Sequence, residues 1–147
     1  MGMLDSELSF SAAQAVTANG DTPSTNSYDS GGFPAQGDAG QTSESLWVNV
    51  FCSTTATTGS GATVQAVLQD SADGSTFADV VASQAFAIGS VVAGATLLQL
   101  QPPPAMRRYW RVVYRIGTGT LTAGKFDAYV SNTFQRNTAR PSGFSVS

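Results

Sequence analysis

Histidine is absent from this chain, cysteine occurs once, charged residues make up only 12% of the sequence, and the first 106 positions hold neither lysine nor arginine. Without histidine, the commonest general base, the Ser-His-Asp arrangement and the usual transition-metal ligand are all missing. The lone Cys52 leaves no internal disulfide and no multi-cysteine zinc site. No apolar run approaches 18 residues, and no basic segment leads into an apolar one near the start, so the chain reads as soluble and unprocessed, with no membrane partner. A net charge of −3 and a pI near 4.5 argue against a nucleic-acid partner, which normally meets a basic domain. No glycine-rich segment precedes a Lys-Ser/Thr pair or opens a helix, so phosphate loops and dinucleotide sites are also missing, and no cofactor is expected.

What is present points to strands. Ser, Thr, Gly and Ala are abundant and suit a helix poorly, whereas the Val, Thr and aromatic content suits a sheet. The expected class is all-β, in one domain of 147 residues. Alternation and turn signals place about eight strands: Phe10 to Val16, Thr25 to Ser30, Ser45 to Ser53, Ala62 to Asp70, Thr76 to Phe86, Thr96 to Gln101, Arg107 to Gly117 and Thr122 to Asn132. Period two assigns the inward faces to Leu46, Val48 and Val50; Val64, Ala66 and Leu68; Leu98 and Leu100; Trp110, Val112 and Tyr114; and Phe126, Ala128 and Val130. Cys52 is in step with Val48 and Val50 and reads as a small buried hydrophobe. Trp47 and Phe51 fall on the opposite face, which must present apolar area outward or to a second layer.

Two hairpins are expected. Asp70 to Ser75 places Asp and Gly where a tight turn needs them. Gly117-Thr118-Gly119-Thr120 would join the seventh strand to the eighth and pair it with Lys125 to Tyr129. Three segments do not read as sheet: the loop Gly31 to Ser43, the extended crossover Pro102-Pro103-Pro104, and the stretch from Thr133 onward. The domain therefore divides into an arm at 1–9, a sandwich at 10–132 and a C-terminal arm at 133–147.

Charge is distributed unevenly along this frame. Nine carboxylates precede Arg107, and all seven basic residues fall between Arg107 and Arg140 with only Asp127 opposing them. In the seventh strand one face reads Arg107, Tyr109, Arg111, Val113, Arg115, a basic row with an aromatic. Arg and Tyr are what protein contact patches tend to use, so Arg107, Tyr109, Arg111 and Arg115 are candidate contact residues, with a solvated strand face as the plain alternative. Phe134, Arg136, Arg140 and Phe144 form a candidate clamp in the C-terminal arm, against a frayed terminus as the plain alternative. The only carboxylates close enough in sequence for acid–base work, Asp70, Asp73 and Asp79, sit in or beside a turn, and Asp70 to Thr76 lacks the alternating oxygen ligands of a calcium loop. The chain is expected not to be an enzyme.

Several segments together resemble a known family. They are Met3-Leu4-Asp5; Phe10-Ser11-Ala12-Ala13-Gln14-Ala15-Val16-Thr17-Ala18; Ser27-Tyr28-Asp29-Ser30-Gly31; Gly61 to Ser71; Arg107-Arg108-Tyr109-Trp110-Arg111-Val112-Val113-Tyr114; and Leu121-Thr122-Ala123-Gly124. Over roughly residues 3 to 131 the chain is similar to the cement, or head-decoration, proteins of short-tailed phages, of the type found on the Bordetella tropism-switching phage. The resemblance implies a jelly-roll sandwich on the outer surface of the phage head, bound to the major capsid protein and self-associated as a homodimer, with a homotrimer as the alternative. The chain departs from the family in its longer extension beyond Asn132. The competing expectation is a carbohydrate- or receptor-binding sandwich using outward aromatics and the Gly31 to Ser43 loop.

Overall fold

The computed structural model describes residues 9–29, 47–103 and 106–131. Ten strands follow in chain order: β1 (Ser9–Ala15), β2 (Gly20–Pro23), β3 (Tyr28–Asp29), β4 (Trp47–Thr57), β5 (Thr63–Ser71), β6 (Ala78–Ala82), β7 (Phe86–Ala87), β8 (Thr96–Leu100), β9 (Tyr109–Gly117) and β10 (Ala123–Ser131). They form two antiparallel sheets, one ordered β1-β10-β4-β8 (sheet A) and the other β2-β9-β5-β6 (sheet B); β3 adds to β9 and β7 to β5.

Setting aside the two-residue strands β3 and β7, the remaining eight pair first with last, second with seventh, third with sixth and fourth with fifth. This is a long antiparallel ribbon rolled up into two facing sheets, the jelly-roll arrangement. Apolar residues alternate on the strands because each sheet buries one face against the other. Val48, Val50 and Cys52 of β4 meet Val64, Ala66 and Leu68 of β5, Trp110, Val112, Tyr114 and Ile116 of β9, and Phe126, Ala128 and Val130 of β10 in one core. Tyr114 and Phe126 stack with centroids 5.0 Å apart, bridging the sheets. Each such buried side chain contributes about 1.5–3 kcal/mol relative to exposure.

The rolled topology corrects one expectation. The turn at Gly117 to Thr120 does not close a hairpin: β9 lies in sheet B and β10 in sheet A, where β10 pairs with β1 and β4. The chain crosses the end of the sandwich instead. Thr118 adopts φ 70°, the Thr120 amide donates to Ser60 Oγ and Thr58 Oγ1 donates to the Thr120 carbonyl. A Cβ on Gly119 would run into the Ser60 side chain, so only glycine fits the crossing.

The innermost pair, β5 and β6, is joined by the expected turn. The Ser75 and Thr76 amides both donate to Asp73 Oδ1 at 2.9 Å, and Gly74 takes φ 79°. Two strand expectations change. Of the span Thr25 to Ser30 only Tyr28–Asp29 is strand, as β3, while β2 lies before it at Gly20–Pro23, where no strand was expected; and Thr76 to Phe86 breaks into β6 and β7 where the Ser83 amide and hydroxyl turn to Ala66. Residues 101–103 carry no strand, as the prolines require. The Gly31 to Ser43 loop, both expected arms except Ser9, and Pro104 lie outside the described residues.

Candidate functional site

The outer face of sheet B carries a cluster of opposite charges. β9 is its central long strand, flanked on one side along its whole length by β5 and on the other by β2 and β3. Its outward side chains are Tyr109, Arg111, Val113 and Arg115, as the period-two reading expects. Arg107 does not belong to this row. It precedes the strand, and its guanidinium closes on Asp70, which pairs with Trp110 and therefore points to the core side of β5 at the rim. Nε and Nη2 of Arg107 donate to Asp70 Oδ1 at 2.9 and 2.6 Å, its amide donates to Oδ2, and Trp110 Nε1 donates to the Arg107 carbonyl. Strand alternation fails at Arg107 because the ladder begins only at Tyr109.

Acidic side chains from the N-terminal part of the chain meet the arginines. Arg115 bonds Asp21 on β2 through Nε and Nη2, at 2.7 and 2.9 Å, and Asp79 on β6 at 3.2 Å. Gln69 on β5 ties this group to the next arginine: it donates to Asp79 Oδ1 at 2.7 Å and accepts from Arg111 Nε at 2.8 Å. Arg111 also lies over the Phe77 ring, 4.0 Å from its centroid. One polar network thus spans β2, β9, β5 and β6. At the rim Arg108 bonds Asp29 bidentately and lies over Tyr109. The hydrogen bond from Arg115 holds the Asp21 carboxyl below the usual range, and both partners raise the Arg115 guanidinium.

The arginines are held but not hidden. The side chains of Arg107 and Arg115 retain 43% and 33% of their exposure, while Asp70 keeps 10%. Fixing long side chains in advance removes much of the ordering cost of a later contact. The face is therefore rigid, close to self-neutralised and studded with half-exposed guanidinium groups and one tyrosine. Sequence reasoning found the arginines but missed their partners, which lie 94 positions away for Asp21 and 36 for Asp79. Phe134, Arg136, Arg140 and Phe144 lie outside the described residues.

The carboxylates considered for catalysis all have structural work: Asp70 on Arg107, Asp73 in the β5–β6 turn and Asp79 on Arg115 and Gln69. Burial pushes the Cys52 thiol up, and it donates to the Thr54 carbonyl. No group of three or more metal-ligating side chains exists among the described residues. Among the aromatics, Phe51, Trp110 and Tyr114 are fully buried and Tyr129 is nearly so, which leaves none of these four a face on which a sugar could stack.

These observations define a jelly-roll β-sandwich with a braced polar face and a single core. Residues 10–130 match the family model Bbp16, and the chain belongs to that family, whose name points to a Bordetella phage protein. No curated protein matches the sequence.

Proposed function

We propose that this chain is a structural protein of the virion, not an enzyme, that decorates the outside of a phage head and cements neighbouring major capsid protein subunits. The observation that carries this reading is the Bbp16 match across the whole jelly roll, residues 10–130. What supports it in the geometry is the outer face of sheet B, where Arg111 and Arg115 are pre-positioned by the Asp21–Gln69–Asp79 network as a contact surface and Tyr109 lies beside them under Arg108. The half-exposed Arg107 and Arg108 extend this surface at the rim.

The mechanism is contact. A braced sandwich bridging two subunits transfers load between them when packaged DNA presses outward, and self-association as a dimer multiplies weak contacts into tight decoration. The test is co-sedimentation of the purified protein with expanded, undecorated heads. Saturation at an integer ratio to capsid subunits is expected, whereas absence of binding, or a saturable glycan response in its place, overturns the reading.

A further inference from the structure

The arginines of β9 and its rim are not alike. Arg107 bonds Asp70, Arg108 bonds Asp29, and Arg115 bonds both Asp21 and Asp79, so each of these guanidinium groups already faces a carboxylate. Arg111 faces an amide instead. Its Nε donates to Gln69 Oε1 at 2.8 Å, and it forms no ion pair among the described residues. Gln69 is 6% exposed and is itself held, since its Nε2 donates to Asp79 Oδ1 at 2.7 Å. The Phe77 ring backs the guanidinium from one side, with its centroid 4.0 Å from Cζ. Arg111 remains partly exposed, and its Nη1 and Nη2 make no hydrogen bond among the described residues. A guanidinium fixed at Nε and against one ring, with both terminal nitrogens unmatched, is a preset fork for an anion with two oxygens in one plane.

We infer that Arg111 receives a carboxylate side chain of the protein that this face meets, bound end-on through Nη1 and Nη2; the inference deepens the contact reading of sheet B and rests on it. Charge selects the occupant. Arg111 and Arg115 carry two positive charges and Asp21 and Asp79 two negative ones, so the group is neutral before contact. The internal carboxylates are drawn to Arg115, which leaves the Arg111 charge without a bonded counterpart. One incoming carboxylate supplies it. A nucleic-acid backbone needs a row of uncommitted cations to neutralise successive phosphates, and Arg107, Arg108 and Arg115 are already committed.

The first test needs no phage heads. It follows the arginine side-chain NMR signals of the full chain at low ionic strength as a capped glutamate tripeptide, its glutamine counterpart or a short oligodeoxythymidylate is added. The Arg111 signals are expected to shift saturably with the glutamate peptide, further than those of Arg107, Arg108 and Arg115, and to stay in place with the glutamine peptide. A response at Arg111 no larger than at the other arginines overturns the inference, and an equal or greater response to the oligodeoxythymidylate overturns the assignment to a protein carboxylate. In binding to undecorated heads, Arg111→Gln and Arg111→Lys are both expected to lose about tenfold in affinity, because lysine keeps the charge but not the fork. Lys125→Gln, which removes the same charge from sheet A, is expected to bind as the wild type does. Full affinity in Arg111→Lys, or an equal loss in Lys125→Gln, counts against the fork. A peptide response at Arg111 together with no binding of the wild type to heads would sink the capsid reading alone and leave the carboxylate site standing.

Discussion

The two sheets share one core but treat their outer faces in opposite ways. Sheet B holds its outer surface with charge: Asp21, Gln69 and Asp79 brace Arg111 and Arg115 across four strands, and all of them except the buried Gln69 keep contact with water. Sheet A holds its outer surface with burial: Phe51 packs near Tyr129, and Asn49 donates to Ser131 Oγ at 2.9 Å while accepting from Gln99 Nε2 at 2.9 Å. A braced charged face loses little when one member is removed, because exposed ion pairs are screened by water. A buried face loses much, because a removed ring leaves a cavity and a removed partner leaves a buried polar atom unmatched.

Substitutions that exploit this contrast should rank accordingly. Phe51→Ala is expected to cost about 3–5 kcal/mol in urea unfolding, as for a core ring; a loss near that of a surface residue would mean that the outer face of sheet A is not sealed. Asn49→Ala, which strands Gln99 and Ser131, is expected to cost about 1–3 kcal/mol by the same measurement. Arg115→Ala on sheet B is expected to cost less than about 1 kcal/mol despite breaking two ion pairs, because all three side chains are substantially exposed. A larger loss would show that the network acts as a unit.

The smallest effect concerns acid. The Thr76 and Ser75 amides and the Ser71 hydroxyl hold the Asp73 carboxyl at about 2, below its ordinary value. A carboxylate whose folded value is depressed adds stability that is fully present above the unfolded value and is lost as pH falls through the folded one. The wild type should therefore lose the turn's contribution between about pH 4 and pH 2, and Asp73→Asn should flatten that part of the stability profile. A parallel profile would show that the turn is held by Gly74 and the ladder alone.

How far the sequence could be read followed the range of the interactions. Val48, Val50, Leu68, Trp110, Val112, Phe126 and Ala128 announce their inward faces by alternation, a local signal, and each lies in the core. The Asp73-Gly74 turn is local too, and closes as expected. Gly117 to Thr120 misleads because a hairpin and an end-to-end crossing use the same turn residues; what separates them is Ser60, nearly 60 positions away. The arginine row reads as a free basic stripe for the same reason. Its carboxylates come from β2 and β6, and nothing in the sequence of β9 registers them. Arg107 fails differently: alternation runs past the end of the ladder and assigns it to a face it does not share.

The central claim is that the braced face of sheet B is what meets the capsid. Its most direct measurement is the saturation binding of wild-type protein and the Arg111→Ala/Arg115→Ala double variant to undecorated heads, with thermal melting run alongside. A loss of affinity of about tenfold or more, with the sandwich still folded, is the expected result. Equal binding by both proteins would contradict the claim and move the contact to another face.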